Sequence, residues 1–235
     1  MMLTQTIQDF ATADGLALAF LVLGWLGFGW LVEHPPSSRP SVTRLMAEFR
    51  RDWMRAFVTR QPRIFDATVL DSLRQSTAFF ASATMIALGG GVALMGDAER
   101  LAGFAADFTL QTSRTAVEIK LLVVLVLVAN AFLKFVWANR LFGYCAILMA
   151  SVPNDPEDPA CYPRAAQAAE INITAARSFN RGLNSVYFAI AALAWMAGAV
   201  PLAGAVALTL AMMARREFAS ESRRVILAAQ GGPVA

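Results

Sequence analysis

The sequence predicts an all-α protein, a polytopic helical bundle embedded in a membrane as a single domain. Of the 235 residues, 57% are hydrophobic and only 16% are charged, whereas a soluble domain carries about 25% charged residues. The mean hydropathy is +0.51. The apolar residues are gathered into runs about as long as the roughly 20 residues that a helix needs to cross a bilayer. Several membrane-spanning helices explain both observations.

Four apolar runs define the predicted spans. They cover residues 16–32, 75–95, 119–137 and 185–214. No Lys or Arg precedes the first run, and a cleaved signal peptide begins with positive residues, so we expect this span to be retained. The third run is apolar over almost its whole length, and we expect the other segments to pack beside it.

The last run is too long for one span and barely long enough for two, at roughly 30 residues. Pro201 lies in its middle. One interpretation is a single helix bent at Pro201, since a proline within a span is tolerated. The other is a hairpin at Pro201 that adds a fifth span. The arginines that follow favour the hairpin, because it returns them to the cytoplasmic side.

An amphipathic helix is predicted over residues 42–60, because its apolar residues recur at helical spacing and its arginines lie off that stripe. Such a basic helix, with Trp and Phe on its apolar side, is typical of the membrane interface. The alternative is that it packs on the cytoplasmic side of the protein itself. Residues 138–184 are predicted to be a cytoplasmic helical region, and 215–235 a basic tail. The interfacial candidates are Arg44, Arg50, Arg51, Trp53 and Arg55.

The distribution of arginines predicts the orientation. They are dense after the first and third spans and sparse after the second. Positive residues stay on the cytoplasmic side, so we expect the N-terminus to lie outside and the protein to span a bacterial inner (cytoplasmic) membrane. The net charge of +3 is small. The basic loops therefore indicate anionic lipid headgroups as a partner and no nucleic acid.

The cysteine and histidine content excludes several kinds of site. Cys145 and Cys161 form no CxxC pattern, and His34 is the only histidine. A disulfide framework, a zinc site and a bis-histidine haem site have no support. We expect no cofactor and no metal. No Ser/His/Asp set and no phosphate-binding glycine loop is present, so no catalytic residue is assigned. The sequence disfavours an enzyme without excluding one.

Lys134 is the sharpest single candidate, with Asn130 one turn earlier on the same helical face. A charge at the bilayer centre costs about 2.5 kcal/mol or more, so such residues often line ion or substrate paths. The alternative is that the Lys134 side chain reaches the cytoplasmic interface or pairs with an acid. The expected acids are Asp66, Asp71 and Glu217.

Two further polar groups are candidates. The second span begins with one polar face, which we expect to point into the bundle because polar groups facing lipid are costly; its residues are Ser72, Gln75, Ser76, Phe79 and Ser82. The second group begins the last run and consists of Asn180, Arg181, Asn184 and Tyr187. An arginine with two amides suits the phosphate of a lipid headgroup, and the alternative role is hydrogen bonding between helix ends.

Several phrases are together similar to one family. They are RRDWM at 50–54, RIFD at 63–66, STAFFASAT at 76–84, KFVW at 134–137, SFNRGL at 178–183 and RREF at 215–218. In order and spacing they resemble a family of bacterial and plant membrane proteins classified only as domain of unknown function 599. The resemblance covers nearly the whole chain. It implies a multi-span membrane protein and supplies no activity, substrate or catalytic residue.

Three functions are compatible with these observations. The first is a structural or assembly component, acting as a homo-oligomer or with another membrane protein through faces of small residues. The second is a small channel or transporter, with Lys134, Asn130, Gln75 and Ser76 along a polar route for an ion or small anion. The third is a membrane enzyme that acts on lipid headgroups or, more credibly, a lipid-headgroup-binding protein without chemistry; it has the least sequence support, because no nucleophile–base pair stands out. The sequence ranks assembly ahead of transport by a small margin.

Overall fold

The computed structural model describes residues 12–96 and 114–228, and within these ranges it contains helices and turns but no strand. The all-α prediction is confirmed. In chain order the helices are α1 (Thr12–Glu33), α2 (Val42–Thr59), α3 (Ile64–Gly96), α4 (Arg114–Ala150), α5 (Cys161–Leu193), a 3-10 turn (Ala194–Ala197), α6 (Ala199–Phe218) and α7 (Glu221–Ala228). Residues 229–235 of the predicted basic tail lie outside the described residues.

Four segments of the described chain are long and apolar enough to cross a membrane. They are Thr12–Glu33, Ile64–Gly96, Arg114–Ala150 and Ala199–Ala228. With 33 and 37 residues, α3 and α4 extend well beyond the predicted spans and beyond a hydrocarbon core of about 30 Å. Hydropathy marks only the apolar part of a helix. The helices continue past the predicted spans through residues 64–74 and 138–150 without a proline to interrupt them.

The last apolar run is not one bent helix. It is interrupted after Leu193 by the 3-10 turn and by Gly198, whose φ of 114° favours glycine. The break therefore precedes Pro201. This proline falls in the first turn of α6, where its missing N–H has no helical partner to lose. Of the two helices that flank the break, only the one after it belongs to a segment with the length and hydropathy of a span.

The chain divides into two compact units. The first, here called the apolar unit, comprises Met1–Leu31, Ala83–Ala131 and Leu183–Arg216. Its helices approach closely at glycines. A Cβ on Gly24 would lie 3.2 Å from Leu210 Cδ1 and 3.3 Å from Phe188 Cε1. One position of α1 thus contacts both α5 and α6, so these two helices run side by side within the unit.

The second, here called the basic unit, comprises Val32–Ser82, Phe132–Gly182 and Glu217–Ala235. Its core includes Met54, Phe57 and Val58, which are almost completely buried. These residues form the apolar face of α2, and burying each such side chain is worth about 1.5–3 kcal/mol. Helix α2 thus packs on the protein itself, which was one of the two alternatives for this segment.

Three phenylalanines join α3, α4 and α5 in the basic unit. The ring of Phe135 lies 5.4 Å from those of Phe80 and Phe179, measured between centroids. A Cβ on Gly182 would lie 2.6 Å from the Phe135 ring. Because Phe135 is fully buried, its ring has no free space to move into. The absence of a side chain at Gly182 lets α5 approach α4 at this point.

We expect Gly182→Ala to destabilise the protein by about 1–3 kcal/mol, the usual cost of overpacking a core. A thermal unfolding scan of the purified protein in mild detergent measures it, since 1 kcal/mol shifts Tm by about 2–4 °C at this size. Gly143→Ala is the matched control, because a Cβ there meets nothing within 4 Å. Equal Tm values for the two variants would contradict this account of the contact between α4 and α5.

Candidate functional site

A cavity of about 410 Å³ lies within the basic unit. Three helices each present one face to it, at the spacing i, i+3, i+4 and i+7 that brings side chains together on a helix. From α2 come Thr43, Met46, Ala47 and Arg50, from α3 come Leu73, Ser76, Thr77 and Phe80, and from α5 come Ile173, Ala176, Arg177 and Asn180. Phe142, Phe179 and Val42 add to the apolar part of the wall.

The N-terminus of α2 is fixed at the edge of this cavity by Ser41. The Ser41 hydroxyl accepts a hydrogen bond from the backbone N–H of Arg44 at 3.2 Å, and it donates to the carbonyl of Val32 at 2.7 Å. Such a cap is worth about 1 kcal/mol. The bond to Val32 also holds the first turn of α2 beside the end of α1. Thr43 in that turn and Glu33 at the end of α1 both line the cavity.

Three arginines line the cavity, and within the described residues none of them forms a close ion pair with a carboxylate, although the charge of Arg177 acts on Glu33. Arg50 is half-buried and donates through Nη1 to the neutral Oδ1 of Asn172. Burial lowers the pKa of the Arg50 guanidinium from its ordinary value. Arg177 is half-buried and Arg44 is exposed. Within the described residues, the side chains of Arg44 and Arg177 make no hydrogen bond or ion pair.

The two carboxylates of the wall are both engaged. Glu33 accepts two hydrogen bonds from Arg181, each of 2.5 Å, and this bonding raises the pKa of Arg181. Glu217 accepts from the backbone N–H and from the hydroxyl of Thr43, both at 3.1 Å. The carboxylate of Glu217 therefore occupies the N-terminus of α2, where the helix dipole favours negative charge. The Asn180 amide reaches the same Thr43 hydroxyl at 3.4 Å.

This arrangement can bind an amphipathic anion. Guanidinium groups form strong, directed hydrogen bonds to phosphate or carboxylate, and the aromatic and aliphatic wall offers an apolar surface beside them. Metal chemistry has no support in the described parts of the chain, because no three His, Cys, Asp or Glu side chains come together there.

Lys134 pairs with none of the three acids that the sequence offered as partners, so of its two structural alternatives the one that stays a prediction is a side chain that reaches the interface. Asp66 accepts from Trp53 Nε1 at 2.6 Å and from Arg60. The amide of Gln75 donates to Asp71 at 2.6 Å. Glu217 accepts hydrogen bonds from Thr43. Each of the three acids therefore bonds to a residue other than Lys134. Lys134 is half-buried and makes no hydrogen bond or ion pair within residues 12–96 and 114–228.

The polar face predicted at the start of the second span does not point into the bundle. Its residues Ser72, Gln75, Ser76, Phe79 and Ser82 are exposed, although Ser76 lines the cavity. The buried face of α3 instead carries Leu70, Thr77 and Thr84. The hydroxyl of Thr77 donates to the Leu73 carbonyl of its own helix at 2.7 Å, so it can be buried without an outside partner.

The four candidates at the start of the last run are divided between the two units. Within the basic unit, Asn180 bonds to Thr43 and Arg181 to Glu33. Within the apolar unit, Asn184 donates to the Trp25 carbonyl at 3.1 Å, and Tyr187 accepts from Arg216 at 2.8 Å. Asn130 has a partner that the sequence did not suggest: its side-chain oxygen accepts a hydrogen bond from the Ser185 hydroxyl at 3.0 Å. Trp25 donates to the same hydroxyl at 3.1 Å.

Most of the interfacial candidates on α2 are engaged in ion pairs or hydrogen bonds. Arg51 pairs with Glu48 and Glu170, and Arg55 with Asp52; Trp53 bonds to Asp66. Arg44 and Arg50 are the two that line the cavity. Sequence reasoning missed Arg177, Glu33 and Thr43 as site residues. The repeated i, i+3, i+4, i+7 pattern at 43–50 and 173–180 was the available signal.

One family model matches the chain, and no curated protein and no solved structure does. The model is described as "Protein of unknown function, DUF599" and matches residues 16–222. The match begins within α1, covers α2 to α6 and ends at the start of α7, so every residue of the cavity wall lies within it.

We expect Asp66→Asn to destabilise the protein by about 1–3 kcal/mol. Asp66 is fully buried and is the charged acceptor of both Trp53 and Arg60, whereas the side chain of Arg60 is 34% exposed, so water still solvates part of its charge. The Tm in mild detergent measures the effect. Asp52→Asn is the control, because its exposed pair with Arg55 is worth no more than about 0.5 kcal/mol. A similar small shift in both variants would refute this role of Asp66.

Proposed function

We propose that this membrane protein binds an anionic lipid headgroup in the cavity of the basic unit. The chain belongs to this family of proteins of unknown function, so its role has to be argued from its own residues. The single observation that supports this proposal is the unmatched charge of the wall. Arg44, Arg50 and Arg177 line one cavity, and none of them forms a close ion pair within the described residues.

Unmatched charge of this kind favours an anionic ligand. A half-buried guanidinium has lost part of its hydration, and an anion that accepts its hydrogen bonds restores that free energy. Arg50 and Arg177 are both half-buried. Arg44 is exposed, so water and salt ions solvate its charge without a ligand. A ligand bound to Arg50 and Arg177 would nevertheless gain a further contact with Arg44.

The apolar wall favours a lipid over a free inorganic anion. Met46, Leu73, Phe80, Phe142 and Ile173 lie along it, and a bare phosphate would leave this surface unused. An acyl chain gains about 0.8 kcal/mol for each CH₂ that it buries. The volume of about 410 Å³ is within the usual range of about 300–1,000 Å³ for ligand pockets. Anionic headgroups are also concentrated at cytoplasmic leaflets.

The other hypotheses stay predictions from the sequence. The assembly role, with a homo-oligomer or another membrane protein as partner, and the channel or transporter are not tested by the geometry of one chain. The same holds for the bacterial inner membrane and for an outside N-terminus. The cavity ranks lipid binding first because it joins three arginines to an apolar wall within one unit.

An equilibrium titration of the full chain in mild detergent tests the proposal. The probes are an anionic and a zwitterionic phospholipid with identical short acyl chains. We expect the anionic lipid to bind more tightly. The double variant Arg44→Gln/Arg177→Gln should weaken its binding about 100-fold, because a hydrogen bond to a charged group is worth about 1.5–3 kcal/mol and 1.4 kcal/mol is tenfold in affinity.

The matched control is Arg55→Gln/Arg224→Gln. Both arginines are exposed and pair with an acid three residues earlier, Asp52 and Glu221, and neither lines the cavity. This variant removes the same net charge and should bind the anionic lipid as the parent chain does. Equal losses of affinity for the anionic lipid in the two double variants would show that the binding depends only on the net charge of the protein. Equal affinity for both lipids would exclude the proposal outright.

A further inference from the structure

We infer that the cavity selects a phosphate monoester carried on an apolar chain over the phosphodiester of ordinary phospholipids. This inference rests on the proposed function and adds the class of headgroup. It follows from a count of the charges that face the cavity, helix by helix, and from the position of Glu217.

Five charged side chains line the wall. The cations are Arg44 and Arg50 of α2 and Arg177 of α5, and the carboxylates are Glu33 of α1 and Glu217 of α6. Helices α3 and α4 contribute only uncharged residues to it. The two hydrogen bonds from Arg181 neutralise Glu33. Glu217 has no cationic partner among the described residues and opposes one of the three arginines, so the wall carries an excess of two positive charges.

That excess matches one class of phosphate better than another. A phosphodiester carries a single negative charge, which would leave one positive charge unmatched in the cavity. A phosphomonoester carries about −1.5 to −2 at pH 7, because its second pKa is about 6, and it offers three acceptor oxygens. Three guanidinium groups can donate to those three oxygens, and the remaining ester oxygen leads to the apolar chain.

Glu217 sets the strength of this selection. Its carboxylate is held at the N-terminus of α2 by the N–H and the hydroxyl of Thr43, and it lines the same cavity as the three arginines. It repels any anion, and a dianion more than a monoanion. Removing its charge should therefore raise the affinity for the monoester more than for the diester. Glu217→Gln does this and keeps an oxygen that accepts from Thr43.

The ligand itself should give the binding a pH dependence. Above its second pKa of about 6 the monoester is a dianion, and below it the ligand loses one charge. Its affinity should fall as the pH drops through 6, whereas that of the diester should stay level. The charged groups of the wall are the three arginines and the two carboxylates, Glu33 and Glu217. His34 follows Glu33 in the chain and is not part of the wall.

The experiment compares phosphatidate with phosphatidylglycerol of identical short acyl chains, bound to the full chain in mild detergent. At about pH 7.5 we expect phosphatidate to bind about tenfold more tightly, and at about pH 5.5 this advantage should shrink to about twofold. Glu217→Gln should tighten phosphatidate more than phosphatidylglycerol. His34→Gln should leave the pH response of phosphatidate intact.

The outcomes separate this inference from the function on which it rests. If both lipids bind equally at about pH 7.5 and Arg44→Gln/Arg177→Gln weakens both, the headgroup selection is wrong and anionic lipid binding stands. If neither lipid binds, both proposals fail. If the pH response disappears in His34→Gln, the titrating group is His34 and not the phosphate of the ligand. That result would overturn the proposed preference for a phosphomonoester. Inorganic phosphate that competes at the same concentration as phosphatidate would overturn the requirement for an apolar chain.

Discussion

A guanidinium group that is partly shielded from water needs an acceptor for its hydrogen bonds, and the basic unit is arranged around that requirement. Arg60 pairs with Asp66, and Arg51 with Glu48 and Glu170. Arg63 donates to the backbone carbonyls of Val58, Val152 and Pro153. Within the described residues of the cavity wall, Arg44 and Arg177 make no such bond, and the only acceptor of Arg50 is an amide. Unmatched charge that converges on one cavity indicates a ligand more strongly than scattered surface charge does.

The architecture could be predicted from the sequence where one physical effect dominates. Hydropathy located the apolar runs, because no other signal competes with it at that length. The break in the last run was predicted at Pro201 and lies at Gly198 instead. Proline is compatible with the first turn of a helix, whereas a φ of 114° requires glycine. The cavity could not be predicted, because it forms where α2, α3 and α5 pack, and single-helix patterns do not specify which faces meet. For the same reason the sequence could not show which groups the acids offered as partners of Lys134 contact instead.

Within the apolar unit, polar side chains connect helices that otherwise pack through small residues. The hydroxyl of Ser185 accepts from Trp25 and donates to Asn130, which links α1, α4 and α5. Asn184 donates to the Trp25 carbonyl, and its buried Oδ1 has no partner in the described chain. Each such hydrogen bond between membrane helices is worth about 0.6 kcal/mol. These bonds therefore specify the helix register more than they stabilise the bundle.

The three unmatched arginines are not equivalent, and the difference bears on how a ligand would bind. Arg50 is held by Asn172, whose own Nδ2 donates to Cys145 Sγ at 3.5 Å, and both of these residues are fully buried. Its position is thus fixed before any ligand arrives, which lowers the entropy lost on binding. Arg44 and Arg177 have no such contacts and can adjust their rotamers. A phosphate group would accordingly be oriented by Arg50 and then enclosed by Arg44 and Arg177. The affinity would therefore depend on Arg50, whose position Asn172 already fixes.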